Sequence, residues 1–285
     1  MKKRTIVAAM FLAAVSSTSL KRQMRKPEKI SEGKTRWLTD RVIAHRGIHD
    51  NDGDVPENTL AAFQEAADRG YAIELDVRLT KDGQVVVIHD KKLKRLLSMD
   101  GQVQDLSYED FRQGTILDSI HRIPLFSQVL ELVDGKVPLL IEIKSHGQVG
   151  PLEEKLYELI KSYKGLVAIQ SFNPLSVKWF RDHAPEVVRG QLSGNFVLNA
   201  YEKEVQGETE LPTYQKILLK HMMLNFLSKP NFIAYEIEGT DHIRIIHLGK
   251  LGVPLLGWTV RTRVDYLEVK DLFDNLICDD VTVVF

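Results

Sequence analysis

The sequence predicts an α/β fold, a TIM-type (β/α)8 barrel with a β-hairpin excursion after strand 2. Three observations predict it. Short apolar stretches begin at Arg41, Tyr71, Val137, Leu166, Val187, Phe232, Val253 and Leu276, with helical patterns between them; that alternation makes a parallel sheet. Nearly every stretch is apolar at its start and polar or aromatic at its end: His45-Arg46, Glu74/Asp76, Glu142/Lys144, Gln170/Phe172, Gln191, Glu236/Glu238, Trp258 and Asp279. In a closed barrel those ends meet on the one face that carries chemistry. The rival architecture, an open doubly wound sheet, is disfavoured because no Gly-rich phosphate loop follows the first strand.

Arg41–Ala44 is a short strand that stops at His45-Arg46-Gly47. After a polar loop, Pro56-Glu57-Asn58-Thr59 opens a helix with Leu60, Phe63, Ala66 and Ala67 on its apolar face, and Gly70 ends it. The next stretch, Tyr71–Asp90, organises the site. Ile73, Leu75 and Val77 point one way, and Glu74, Asp76 and Arg78 the other, because strand side chains alternate. On an ordinary half-buried strand the acidic face would be the wet one. Lys81-Asp82-Gly83, however, signals a tight turn. So few residues cannot hold a crossover helix, and the chain must return as a hairpin. Pairing then brings His89 level with Glu74 and Asp76.

Further on, Lys91–Ile120 is charged and Gly-punctuated, with a short helix at Tyr108–Arg112. Helices are expected at Phe126–Val133, Leu152–Tyr163, Pro174–His183, Thr213–Leu227, Asp241–Lys250 and Val264–Asp271. Thr213–Leu227 is apolar on much of its circumference. It reads either as a barrel helix with one wide buried face or as a lid or partner surface.

The chain has 285 residues, 44% of them hydrophobic and 27% charged, which suits a soluble globular domain. A net charge of -1 gives no reason to expect nucleic acid as a partner. Cys278 is the single cysteine, so no internal disulfide can form. The segment 1–40 is set apart from a barrel domain at 41–285. Met1-Lys2-Lys3-Arg4 precedes the apolar Thr5–Val15, and Lys21, Arg22, Arg25 and Lys26 follow it. The layout is that of a secretory signal, or of a membrane-anchoring segment with a basic linker; a cytosolic amphipathic extension is the other reading. The run is shorter than the ~20 residues that span a bilayer.

Glu74, Asp76 and Glu142 offer oxygen ligands only, which suits one hard divalent cation, Ca2+ or Mg2+. Arg46 and Lys144 beside it would hold an anion, most naturally a phosphate. Of His45 and His89, one can accept a proton while the other donates one near neutral pH. Each residue has a blander use: a core histidine, a structural Glu142–Lys144 pair, a buried Trp258. All of those would have to hold at once, at strand ends that share one face.

His45-Arg46-Gly47, Pro56-Glu57-Asn58-Thr59, Glu74-x-Asp76-Val77, Asp82-Gly83, His89-Asp90, Glu142-Ile143-Lys144, Ser171-Phe172 and Trp258-Thr259-Val260 stand in an order that resembles the glycerophosphodiester phosphodiesterase family. The resemblance runs from about Arg41 to the C-terminus. It implies a barrel that hydrolyses glycerophosphodiesters to sn-glycerol 3-phosphate and an alcohol. Glu74, Asp76 and Glu142 would bind the metal. His45 would be general base and His89 general acid; Arg46 and Lys144 would hold the phosphate, with Trp258 and Phe172 against the substrate. Two positions depart from the family pattern. Arg261 stands where the family usually has Asn, and Asp279-Asp280-Val281 where it often has Asp-x-Pro; neither is expected to touch the metal or the histidines. Two other functions remain open: a lipid-directed phosphodiesterase, of lysophospholipase D or phosphoinositide phospholipase C type, and a barrel that binds phosphodiesters without turnover.

Overall fold

The computed structural model describes residues 23–145, 148–208, 210–238 and 241–285. Eight parallel strands close on themselves: β1 (Ile43–Ala44), β2 (Ala72–Leu79), β4 (Leu139–Ile143), β5 (Val167–Ser171), β6 (Val188–Ser193), β7 (Phe232–Glu236), β8 (Leu255–Val260) and β9 (Asn275–Cys278). Closure runs through β1, which pairs with β9 on one side and β2 on the other. The remaining strand, β3 (Val85–Val87), folds back antiparallel on β2, with Val77 opposite Val87 and Leu79 opposite Val85. This is the predicted hairpin.

Alternation along β2 divides its side chains between two environments. Ile73, Leu75 and Val77 face outward into the core with Phe63 and Phe126 from the surrounding helices. Glu74 and Asp76 face the barrel interior and are 1% exposed. The acidic face of this strand is therefore not a wet one. Below the acids the interior is apolar, filled by Ile43, Leu140, Val188, Phe232 and Leu256. Gly190 makes room for this packing, because a Cβ there would stand 2.1 Å from the Phe232 ring.

The barrel's base requires a correction to the domain boundary. Trp37 and Leu38, set apart with the N-terminal segment, are buried in that same interior layer. They lie in the short helix Trp37–Asp40, which follows the helix Glu32–Thr35, and Asn275 Nδ2 ties the segment down by donating to the Leu38 carbonyl at 2.7 Å. An open barrel end needs apolar side chains to fill it, and the preceding segment supplies them. The signal-like stretch Met1–Leu20 lies outside the described residues.

Most helices begin and end within a few residues of their expected places, and Phe126–Val133 and Pro174–His183 match them. Thr213–Leu227 does not form one helix. It breaks into Thr213–Lys220 and Asn225–Ser228, with Met222 left-handed at φ 56 between them. The break turns Met222 and Met223 inward, where they are buried, while Ile217 and Phe226 stay exposed. A continuous helix could not put apolar residues spread round its whole circumference into one core. The carbonyls freed at the break are satisfied, since Tyr235 Oη donates to Lys220 O at 3.0 Å and Ser193 Oγ to Leu219 O at 2.9 Å. No residue of Thr213–Lys220 is fully buried, so the wide buried face is absent.

Candidate active site

Glu74 and Asp76 on β2 and Glu142 on β4 come together because β2 and β4 pair in register, with Asp76 opposite Glu142. One oxygen from each carboxylate lies within 4.8 Å of the others, and all three groups are buried. Burial and the neighbouring Asp76 and Glu142 charges push Glu74 well above the ordinary carboxylate range. Burial alone would raise Asp76 too, but Lys144, His89 and Arg46 hold it well below that range. Asp76 Oδ1 is buried and accepts no hydrogen bond. Three crowded acids around such an oxygen fit a divalent cation, which would relieve the repulsion and use the open lone pairs.

Two cations flank the acids. Lys144 Nζ is 2.8 Å from Glu142 Oε1 and 3.2 Å from Asp76 Oδ1. Burial lowers its proton affinity, but these two carboxylates outweigh burial and raise it, so it stays charged. Arg46 lies in the left-handed region at φ 55, a conformation that costs a non-glycine residue energy. That turn aims its backbone N–H at Glu74 Oε2, 3.2 Å away, and its guanidinium at Glu57, 2.8 Å away. Gly47 follows at φ 83, where a Cβ would stand 2.8 Å from the Ala62 backbone. Only glycine lets the loop pass so close to the helix Leu60–Asp68. Arg46 Nε is buried, makes no hydrogen bond and stands 3.5 Å from Asp76 Oδ2.

Each imidazole is held at Nδ1 by a carboxylate. His45 Nδ1 bonds Asp279 at the end of β9, while its Nε2 is 3.9 Å from Glu74 Oε2. His89 Nδ1 is 2.9 Å from Asp90 Oδ1, and Arg78 donates to the His89 carbonyl, from Nε at 2.8 Å. Both rings feel the charges of Asp76 and Arg46, so they share one neighbourhood. Burial lowers both histidines. For His89, Arg46 and Lys144 add to it and bring it down to about 3, so both rings are neutral near pH 7.

A supporting layer escaped the sequence analysis. Glu57 accepts from Arg46 Nη1 at 2.8 Å, Arg95 Nη2 at 2.7 Å and Asn51 Nδ2 at 2.6 Å. Arg95 also donates to Asp90, from Nε at 2.6 Å. One chain of contacts thus joins Arg46 to His89 through Glu57, Arg95 and Asp90. Asn58 donates to Asp76 Oδ2 at 2.9 Å. Arg95 lies in the charged, Gly-punctuated stretch, in a short helix Lys94–Leu97 that no periodicity marked. Asp279, which keeps the family's Asp, binds His45 directly, and Arg261 Nε stands 3.2 Å from its second oxygen. Of the two departures, Arg261 therefore reaches a histidine only through Asp279. Chain-distant residues meet there because β9 pairs with β1, and sequence spacing cannot reveal that.

Phe172 and Trp258, at the ends of β5 and β8, meet edge to face with ring centroids 5.4 Å apart. Phe196 from the β6–β7 connection packs on Phe172 at 5.8 Å. The same connection reaches the hairpin side, where Lys91 N donates to Gln206 O at 3.1 Å and Glu208 lies 3.5 Å from Arg78. Glu236 and Glu238 stay outside the acidic cluster. Glu236 accepts from the Asn195 backbone at 2.6 Å and Glu238 pairs with Arg261 at 2.5 Å.

A parallel barrel with clustered acids, flanking cations and oriented imidazoles at its C-terminal face is a construction that suits a hydrolase acting on phosphate esters. Residues 45–283 match the Glycerophosphoryl diester phosphodiesterase family. A glycerophosphodiester phosphodiesterase of Caldanaerobacter subterraneus is 35% identical over 254 residues, spanning 84% of this chain and 93% of that one. A lysophospholipase D of Rattus norvegicus is 36% identical over 154 residues, spanning 50% of this chain and 47% of that one. An Oleispira antarctica phosphodiesterase solved with the product sn-glycerol-3-phosphate superposes with a TM-score of 0.67 at 22% identity, over 86% of this chain and 95% of that one. The Thermotoga maritima glycerophosphodiester phosphodiesterase does so with 0.62 at 24% identity, over 85% and 96%. These two superpositions speak to the fold. The chain belongs to the glycerophosphoryl diester phosphodiesterase family and is a phosphoric diester hydrolase.

Proposed function

We propose that this enzyme hydrolyses glycerophosphodiesters to sn-glycerol 3-phosphate and an alcohol, using a divalent cation and the His45/His89 pair. The observation that carries the proposal is the buried group of three carboxylates with one oxygen each within 4.8 Å, set beside two imidazoles. Glu74, Asp76 and Glu142 would hold Ca2+ or Mg2+, which when bound neutralises charge building up on the phosphoryl oxygens. The guanidinium of Arg46 and the ammonium of Lys144 clamp the phosphate.

His45, with Nδ1 fixed by Asp279, presents a neutral Nε2 that takes the proton from the attacking oxygen. That oxygen belongs to water, or to the glycerol 2-hydroxyl, in which case a cyclic phosphate forms as the alcohol leaves and water then opens it to sn-glycerol 3-phosphate. His89, fixed by Asp90, returns a proton to the departing alcohol. A phosphate bound between Arg46 and Lys144 offsets two of the causes that hold His89 low, so substrate itself primes the acid. The test is a panel of glycerophosphodiesters assayed with Ca2+ and with Mg2+ after EDTA treatment. Turnover that survives complete chelation contradicts the metal's part.

A lipid-directed activity has one specific observation in its favour. The Phe172–Phe196–Trp258 wall continues to Val197, which is 78% exposed and could meet an acyl chain. Lysolipids in the same panel test it; no release of choline from lysophosphatidylcholine counts against it.

A further inference from the structure

The face opposite the proposed site is unlike the rest of the surface. A cavity of about 870 Å³ opens at the base of the barrel, where Arg189 and Asn231 lie at the beginnings of β6 and β7, Arg181 in the last turn of the helix Pro174–His183 and Lys229 just after the helix Asn225–Ser228. Its floor is fixed. Arg189, 2% exposed, pairs with Glu28 and donates from Nε to Lys229 O at 3.1 Å. Asn231 Nδ2 donates to Glu28 O at 3.0 Å, and Glu28 N to Pro230 O at 2.9 Å. The segment from Lys26 to Ile30 is thereby stitched to the base. Arg181 is neutralised by Asp182 at 2.6 Å. Lys26, Lys29 and Lys229 also line the cavity, and none has a carboxylate within ion-pair distance among the described residues. Three uncompensated ammonium groups thus surround a basin whose acids are already engaged.

The sequence that leads into this basin has the same sign. Seven basic residues and no acidic one precede Glu28, and the apolar run Thr5–Val15 stands among them. That run is too short to span a bilayer but long enough to enter its interface. Among the described residues no helix is long and apolar enough to cross a membrane. We propose that the base of the barrel, through Lys26, Lys29 and Lys229, docks on an anionic lipid bilayer, with the N-terminal apolar run as the second attachment. A single weak attachment holds poorly, whereas a basic patch beside an apolar segment holds well.

The orientation has a consequence for the substrate, which rests on the proposed function. With the base on the bilayer, the C-terminal ends of the strands open toward water. The substrate then arrives from solution, as a deacylated glycerophosphodiester, and acyl chains embedded in the same bilayer cannot reach Glu74 or His89.

Co-sedimentation of the full chain with vesicles tests the docking without reference to catalysis. Phosphatidylcholine–phosphatidylglycerol vesicles should bind it, pure phosphatidylcholine vesicles should bind it far less, and raised salt should release it. The combined variant Lys26→Gln, Lys29→Gln, Lys229→Gln should lose about a hundredfold in vesicle affinity, roughly fivefold per lysine at an anionic surface. Its hydrolysis of glycerophosphocholine in solution should equal the parent's, which also shows that the variant folds. Equal binding to neutral vesicles, parental binding by the triple variant, or no vesicle binding by the parent overturns the proposal. Loss of hydrolysis in the parent would instead count against the proposed function and leave the docking result readable.

Discussion

Arg261 Nε stands 3.2 Å from Asp279 Oδ2, and the other oxygen of that carboxylate takes the Nδ1–H of His45. Asp279 is thus shared between a half-exposed surface cation and an imidazole that is 14% exposed. Burial would raise its carboxyl, but the His45 charge and hydrogen bond and the Arg46 charge outweigh it and hold it at about 2. It is therefore an anion at any working pH, fit to fix the tautomer that leaves Nε2 facing the site. Asp279→Asn should lower kcat by about a hundredfold or more with KM little changed, because the amide can hold the ring in the wrong tautomer. Arg261→Asn should change kcat by less than about tenfold, since an exposed pair contributes little. Steady-state kinetics on glycerophosphocholine separates the two, and equal effects would contradict the assignment.

His45→Ala and His89→Ala should each reduce turnover by about 10²–10⁴-fold, the range of a lost general acid or base. Their circular dichroism and unfolding midpoints should stay near the parent's, because both rings reach solvent at one edge, with side chains 14% exposed. Parental turnover by either variant contradicts the acid/base pair.

Glu57 is tested by stability. Its carboxylate is 2% exposed and joins Arg46 to Arg95. Burial would raise it, but Arg46 and Arg95 hold it well below the ordinary range. Glu57→Gln leaves two cations without their shared partner. Unpairing a buried charge costs about 3–5 kcal/mol; the lower end is expected here, because each arginine keeps a second carboxylate, Asp76 or Asp90. Urea denaturation reads this directly, and a loss below about 1 kcal/mol would show that the network is incidental.

Much of this was legible from residue order. Alternation in β2 separates Ile73, Leu75 and Val77 from Glu74 and Asp76, and the Lys81-Asp82-Gly83 turn dictates the hairpin. Those local rules suffice for the fold and for the acids, because pairing β2 with β4 only extends them. The Glu57–Arg95–Asp90 chain was not legible, since Glu57 comes from the β1–β2 connection and Asp90 and Arg95 from the one after β3, and their meeting depends on tertiary closure. Trp37 and Leu38 were misjudged for a related reason. The barrel base needs a plug, and a basic, signal-like neighbourhood hid the residues that provide it. Thr213–Leu227 carried a strong helical pattern, but tertiary burial of Met222 and Met223 overrides it.

Asp90 makes a pH prediction with a definite sign. Burial raises it, and the hydrogen bonds from His89 and Arg95 outweigh burial and hold it at about 2 against an ordinary 3.8. A depressed folded pKa means stability that is present in full above about pH 4 and lost as pH falls toward 2. The contribution is on the order of 2 kcal/mol. Thermal unfolding of the parent should therefore weaken steeply across that window, and Asp90→Asn should flatten the slope there. An unchanged slope would show that the carboxylate is not held as described.

Glu74, Asp76 and Glu142 are proposed to hold a divalent cation that the reaction requires. The most direct measurement is Ca2+ and Mg2+ binding by calorimetry on chelator-treated enzyme, followed on the same sample by release of sn-glycerol 3-phosphate from glycerophosphocholine. One binding site is expected, with activity that returns in step with its occupancy and loss of both in Glu74→Gln. Full activity in the chelated enzyme, or parental cation binding by Glu74→Gln, would contradict it.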